Sequence, residues 1–69
     1  MEGELQRVVG RNLRGYREAE HLSQEAFADF LGWHRTYVGA VERGERNLTL
    51  RSLERIASLL EVDPRSLLE

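Results

Sequence analysis

The sequence has no cysteine and no lysine, and it contains a single proline. Without cysteine it can form neither a disulfide framework nor a thiolate metal site, and two isolated histidines do not make one. No segment approaches the roughly 18 apolar residues of a membrane span, and the first ten residues, MEGELQRVVG, contain no signal-like apolar run. These absences predict a cytoplasmic protein without metal or other cofactor and without a membrane partner.

The machinery of catalysis is also absent from the sequence. There is no nucleophilic cysteine, no Ser-His-Asp spacing, no glycine-rich phosphate loop and no pair of carboxylates in a credible cleft. Ser23 and Ser58 are better explained as a helix cap and a helix surface residue. The sequence therefore predicts that the protein is not an enzyme.

The length of 69 residues predicts one domain, spanning residues 1–69. A chain of this size buries only about 60% of the surface of its unfolded form, so dimerisation would stabilise it. The length leaves no separate effector-binding domain, so no small-molecule effector is expected. Regulation would then depend on the concentration of the protein itself.

The net charge of −2 disfavours nucleic acid as a partner, but the charge is unevenly distributed. Residues 34–55 hold five Arg and three Glu, whereas the remainder of the chain carries the negative balance. A basic composition of arginine alone suits bidentate contacts with phosphate and guanine. The codon bias of a GC-rich genome would produce the same composition.

Apolar spacing predicts an all-α protein of five helices. Leu5, Val9, Leu13 and Tyr16 recur every three or four residues, which predicts a first helix over residues 4–20. The remaining helices are predicted at residues 24–31, 34–43, 50–60 and 64–68. The last of these begins at Asp63-Pro64, an N-cap followed by proline at the first helical position.

The second and third helices form one unit in the stretch SQEAFADFLGWHRTYVGAVERG, residues 23–44. Ser23 can cap the second helix, and Gly32 can end it because glycine adopts positive φ without steric cost. Two short helices joined by a glycine turn have the form of a helix-turn-helix, whose second helix enters the major groove of DNA.

The residues of this stretch resemble those of the lambda-repressor-like, or Xre-type, helix-turn-helix family. The resemblance lies in Leu22-Ser23-Gln24-Glu25, Leu31-Gly32 and Val41-Glu42-Arg43-Gly44, and in Leu53 to Leu60 followed by Val62. A narrower resemblance, to controller proteins of restriction–modification systems, lies in Arg35-Thr36-Tyr37-Val38 and in Glu42-Arg43 followed by Arg46-Asn47-Leu48-Thr49. The first resemblance implies a compact five-helix DNA-binding domain.

The resemblance also implies roles for the matched positions. Bases would be read by Arg35 and Thr36, and Tyr37 would contact the backbone or a thymine methyl group. Phosphates would be bound by Gln24, Arg43, Arg46 and Asn47. Arg17 and Glu42 match a structural salt bridge between the first and third helices.

For two further residues, the sequence leaves the choice between two roles open. Ala40, on the predicted outer face of the third helix beside Gly39, would either contact a thymine methyl group or allow close packing of another helix. His34 stands where the family usually has Ser, Thr or Asp, so the helix cap is weaker or different. Its side chain could instead contact a phosphate.

Two functions of different kinds follow. The first is a transcription regulator that binds a pseudo-palindromic double-stranded DNA operator as a homodimer. Its dimer surface is predicted at the C-terminal end, from Leu59, Leu60, Val62, Leu67 and Leu68. The alternative is a protein-interaction module, most plausibly the antitoxin of a toxin–antitoxin pair, although no toxin-binding extension is seen.

Overall fold

The computed structural model describes residues 2–69, which form four α-helices and a short 3-10 helix without any strand. The bounds are Glu4–Ala19 for α1, Gln24–Leu31 for α2, Arg35–Glu42 for α3, Leu50–Leu60 for α4 and Pro64–Leu68 for the 3-10 helix. The all-α prediction is confirmed. The prediction of a fifth α-helix is wrong, because five residues after the Asp63 cap close with i→i+3 hydrogen bonds such as Ser66 N–H to the Asp63 carbonyl, 2.9 Å.

The helix-turn-helix forms because its capping groups agree with its apolar spacing. The Ser23 hydroxyl accepts the N–H of Ala26 at 3.0 Å and starts α2, and Gly32 ends it with φ of +75°. The Trp33 N–H then donates to the Ala28 carbonyl at 2.8 Å, which closes the turn. α2 and α3 therefore pack against each other across a turn fixed by backbone hydrogen bonds.

The core is small, apolar and shared by every element. Its fully buried side chains, led by Phe27, Leu13 and Leu31, include one from each of the five elements. The buried apolar residues are Val9, Leu13, Phe27, Ala28, Leu31, Val38, Ala40, Val41, Leu53, Ile56, Ala57 and Leu67.

α1 approaches α3 closely at Gly10. A Cβ at this position would overlap the backbone carbonyl oxygen of Val41 and stand 2.7 Å from that of Glu42. Gly10 is buried, whereas Gly15, one and a half turns further along α1, has open space around it. A glycine at position 10 thus sets how near the C-terminal end of α3 lies to α1.

The 3-10 helix folds back onto α1, and this corrects one of the predicted dimer residues. Leu67 is completely buried in the core. The side chain of Asn12 in α1 donates to the carbonyl oxygen of Leu67 at 3.0 Å, and the Arg11 guanidinium donates to that of Glu69, also at 3.0 Å. Leu67 therefore packs within its own chain and is unavailable to a second one.

The longest helix, α1, has 16 residues. Among residues 2–69, no helix combines the length and the apolar character needed to cross a bilayer.

Candidate nucleic-acid interface

The exposed side of α3 carries the predicted reading residues at its N-terminal end. Arg35 and Thr36 are its first two residues, and both side chains are exposed. The Arg35 guanidinium lies 3.4 Å from a carboxylate oxygen of Glu25 in α2, and both side chains are about two-thirds exposed. An ion pair this exposed is weak, so a stronger acceptor can replace the carboxylate. We call Arg35, Thr36 and Arg43 the outer side of α3.

His34 is the N-cap of α3 and is exposed. Its Nδ1 accepts the backbone N–H of Thr36 at 3.2 Å. An imidazole nitrogen thus takes the place of the Ser, Thr or Asp oxygen that usually caps a helix. The helix consequently begins at Arg35, one residue later than predicted, and Arg43 caps its other end.

A cleft of about 430 Å³ separates the beginning of α2 from the outer side of α3. Its lining includes Gln24, Thr36 and Arg43. Gly39 is buried at its floor, where an added Cβ would stand 3.2 Å from Arg43 Nη1 and 3.6 Å from both amide heteroatoms of Gln24. The absence of a side chain at position 39 lets Gln24 and Arg43 approach each other.

The expectation that Ala40 shows on the outer face is wrong. Its exposed fraction is only 7%, although its position along the helix places it near Thr36 and Arg43. The chain turns at Gly44, and the Glu45 N–H donates back to the Ala40 carbonyl at 2.9 Å. Ala40 therefore contributes to packing, and the exposed side chains beside it are the longer ones of Thr36 and Arg43.

Tyr37 lies between an aromatic ring and a cation. Its ring meets Trp33 edge to face with a centroid distance of 4.8 Å, and the guanidinium carbon of Arg46 lies 5.9 Å from the Tyr37 centroid. Both arrangements are attractive because the face of an aromatic ring is electron-rich. The half-buried Tyr37 thereby connects the turn before α3 to the loop after it, where Arg46 and Asn47 are exposed.

Arg43 also has a carboxylate partner at the surface. Its guanidinium donates to Glu45 at 3.0 Å, and both side chains are more than half exposed. This hydrogen bond lowers the pKa of Glu45 below its usual range and raises that of Arg43. The two arginines of the outer side thus each have a carboxylate partner that solvent or a ligand can displace.

The salt bridge between Arg17 and Glu42 is present and largely buried. Arg17 Nε and Nη2 donate to the two carboxylate oxygens at 2.7 and 3.1 Å, and the exposed fractions are 14% for Arg17 and 4% for Glu42. The hydrogen bond to Glu42 raises the pKa of Arg17. Arg17 Nη1 also donates to the Leu22 carbonyl at 3.0 Å, so one guanidinium ties α1 to the start of the helix-turn-helix and to the end of α3.

Two surface features were not predicted from the sequence. Nothing in the sequence indicated that Glu25 would pair with Arg35, because ten residues separate them. Leu50 belongs by its spacing to the apolar stripe of α4, yet it is 78% exposed. Its place directly after the Thr49 cap, as the first residue of α4, is the feature of the sequence that could have indicated this exposure.

A capped helix-turn-helix with an arginine-bearing outer side defines a DNA-binding class of protein, and similarity to known proteins agrees with this. The profile of the Helix-turn-helix family HTH_3 matches residues 13–67, so the chain belongs to this family. It is 43% identical over 65 residues to control protein C.SmaI of Serratia marcescens, covering 94% of this chain and 77% of that protein.

Two further relatives are also named as control or controller proteins. Control protein C.BamHI of Bacillus amyloliquefaciens is 36% identical over 70 residues, covering all of this chain and 86% of the relative. The crystal structure of the restriction-modification controller protein C.AhdI from Aeromonas hydrophila superposes with a TM-score of 0.77 at 44% identity, covering 90% and 94% of the two chains. The chain is therefore a helix-turn-helix DNA-binding regulator that resembles restriction–modification controller proteins.

Proposed function

We propose that the protein is a controller of a restriction–modification system that binds a pseudo-palindromic operator as a homodimer in the cytoplasm. The observation that carries the proposal is the outer side of α3, where exposed arginines border the cleft at the start of α2. The similarity to control proteins over nearly the whole chain supports the assignment of the regulated system.

Base reading falls to Arg35 and Thr36 because they are exposed at the end of α3 that enters the major groove first. A guanidinium suits the O6 and N7 atoms of guanine, and one such bidentate contact discriminates against the wrong base by about 1–3 kcal/mol. Tyr37, packed beneath Arg46, contributes at the edge of this surface.

Phosphate binding falls to the residues around the reading side chains. Arg43 and Arg46 supply charge, and Gln24, His34 and Asn47 supply hydrogen bonds that fix the register. The negative net charge does not oppose this role, since the carboxylates beside Arg35 and Arg43 are exposed and can move away when phosphates approach.

The experiment that tests this function is selection of bound sequences from a random duplex pool, followed by titration of the best one at several salt concentrations. We expect a two-fold symmetric consensus, and Arg35→Ala should relax one position in each half-site. Arg14→Ala, which removes an exposed arginine of α1 paired with Glu18, is the control and should leave the consensus unchanged. A pool without enrichment would contradict sequence-specific binding.

The homodimer requires an apolar contact, and the surface offers two patches at opposite ends of α4. The Leu50 patch consists of Leu5, Leu50 and Leu68, exposed by 60%, 78% and 37%, around an open pocket of about 220 Å³. The Phe30 patch consists of Phe30, Leu59 and Leu60. Leu50 and Leu59 stand about 13 Å apart along the helix.

We favour the Leu50 patch as the dimer surface because Arg46 and Asn47 line the same pocket. A two-fold axis there brings together the loops that follow the two α3 helices, and this arrangement allows both α3 helices to face the same side of the dimer. Leu50 of each copy can then enter the pocket of the other. Of the dimer residues predicted from sequence, Leu68 belongs to this patch, Leu59 and Leu60 to the other, and Val62 is half-buried.

Leu50→Glu should therefore yield a folded monomer with weakened operator binding, measured by sedimentation and by titration. Leu59→Glu places the same charge in the Phe30 patch and is the matched control, expected to remain dimeric. The reverse result, dissociation by Leu59→Glu alone, would move the interface to the Phe30 patch.

A further inference from the structure

Glu42 does more than pair with Arg17, because its carboxylate accepts a third hydrogen bond. The Gln24 side chain donates from Nε2 to Glu42 Oε1 at 3.1 Å. An ionised carboxylate is an acceptor only, so it requires the nitrogen of the amide to face it. The orientation of the Gln24 amide is thereby fixed, with Nε2 toward Glu42 and Oε1 away from it.

The fixed amide lies on the DNA-facing side of the protein. Gln24 is the exposed first residue of α2, and it borders the cleft above Gly39. The space left by the missing side chain of Gly39 lies within 3.6 Å of both the Gln24 amide and the Arg43 guanidinium. An amide nitrogen carries two protons, and the hydrogen bond to Glu42 uses one of them. The second proton remains for a ligand in the cleft.

The ligand can be an anion because the Glu42 carboxylate that holds the amide is neutralised by Arg17. The Glu42 carboxylate alone would repel a phosphate, but Arg17 forms two hydrogen bonds to it and neutralises it. Only 4% of the Glu42 side chain is exposed, and the exposed Gln24 side chain stands on its solvent side. A phosphate in the cleft therefore meets an oriented N–H and the Arg43 guanidinium, whose exposed partner Glu45 it displaces.

We propose that Glu42 is a positioning residue for DNA binding, which holds the Gln24 amide so that its second N–H donates to one operator phosphate beside Arg43. This proposal rests on the operator binding proposed above. It assigns the buried ion pair of Arg17 and Glu42 a part in the register of the protein on DNA, in addition to its part in the fold.

The test removes the ion pair without leaving a charge unpaired. The variant Arg17→Met/Glu42→Leu replaces both groups by apolar ones of comparable size and keeps the net charge, an exchange that is often neutral for stability. Gln24→Met removes the amide but keeps the length of the side chain. Affinities for the selected operator are measured for each variant and for their combination, with melting curves to show that each is folded.

We expect Gln24→Met to weaken binding about tenfold, the equivalent of one hydrogen bond to an ionised group. Arg17→Met/Glu42→Leu should weaken it to a similar extent, and adding Gln24→Met to it should cost nothing more. Asn47→Ala is the control, since this amide forms no hydrogen bond to another side chain in residues 2–69, and it should cost the same in both backgrounds. Equal losses from Gln24→Met with and without the ion pair would overturn the proposal.

A second measurement uses the unchanged protein and does not depend on the folding of any variant. The operator is prepared with one phosphate at a time replaced by a neutral methylphosphonate, and the Gln24 side-chain amide is followed by NMR. We expect this signal to shift on binding, except when one particular phosphate is replaced. A signal that responds to every duplex alike would overturn the positioning role. Failure of the unchanged protein to bind any selected duplex would overturn the proposed function as well.

Discussion

The two sides of α3 carry the same kind of ion pair in opposite surroundings. On the side that faces α1, Glu42 is buried and its two carboxylate oxygens are bound by Arg17. On the outer side, Arg43 meets Glu45 at a similar distance of 3.0 Å, but both side chains are more than half exposed. Solvent decides what each pair can do: the buried pair holds the helix in place, and the exposed pair is available for exchange with a ligand.

The largest expected effect comes from breaking the inner pair on one side only. Arg17→Ala leaves the Glu42 carboxylate buried without its cation, which should lower the free energy of unfolding by about 3–5 kcal/mol. Denaturant unfolding followed by circular dichroism measures the change. Arg14→Ala removes an arginine from the same helix whose partner, Glu18, is exposed, and we expect it to be nearly silent. Equal losses from both substitutions would abolish the distinction between the two sides.

A smaller effect is expected at the close approach of α1 to α3. Gly10→Ala forces a methyl group against the carbonyl oxygens of Val41 and Glu42, and we expect a loss of about 1–3 kcal/mol in unfolding free energy. Gly15→Ala introduces the same methyl group into open space in the same helix, and it should stabilise the protein by about 0.5–1 kcal/mol. A tolerated Gly10→Ala would show that the inner side of α3 can shift, contrary to the close backbone contact.

The smallest effect is expected from a change on the outer side, and it should appear in the affinity for DNA and not in the stability of the fold. Glu45→Gln frees Arg43 from its carboxylate, so operator affinity should rise a few-fold at low salt while the melting temperature stays unchanged. Glu18→Gln makes the same change of charge beside Arg14 in α1 and controls for net charge. The two affinities, measured by titration in parallel, should differ. An identical rise in both would indicate a general charge effect without exchange at Arg43.

The sequence predicted the helices well because local signals define them. The bounds of α2 and α4 were predicted correctly, since Ser23, Gly32 and Thr49 mark their ends and the apolar spacing between them is regular. α3 proved two residues shorter than predicted, because His34 and Arg43 are its caps. The 3-10 helix begins at Pro64, as Asp63-Pro64 indicated. With only five residues, it forms i→i+3 hydrogen bonds in place of those of an α-helix.

The packing of the surface could not be predicted, because it depends on residues far apart in the chain. Ala40 follows Thr36 by four residues and is expected on the outer face, yet it is buried in the folded chain. Nothing in the sequence around Leu67 indicates its burial, because the Asn12 side chain that donates to its carbonyl oxygen belongs to α1, at the other end of the chain. The contact of Gln24 with Glu42 spans 18 residues and forms because α2 and α3 pack against each other.

The buried pair of Arg17 and Glu42 has a consequence for how proteins of this kind can diverge. The groups that hold α3 in place are on its inner side, whereas Arg35 and Thr36, the proposed reading residues, are exposed. Under the proposed function, replacing Arg35 or Thr36 should change which operator is recognised without weakening the scaffold. Under the same proposal, one or two surface changes would give a lineage carrying this chain a new target sequence. Two such regulators can then coexist in one cell with separate operators, each retaining the same folded frame.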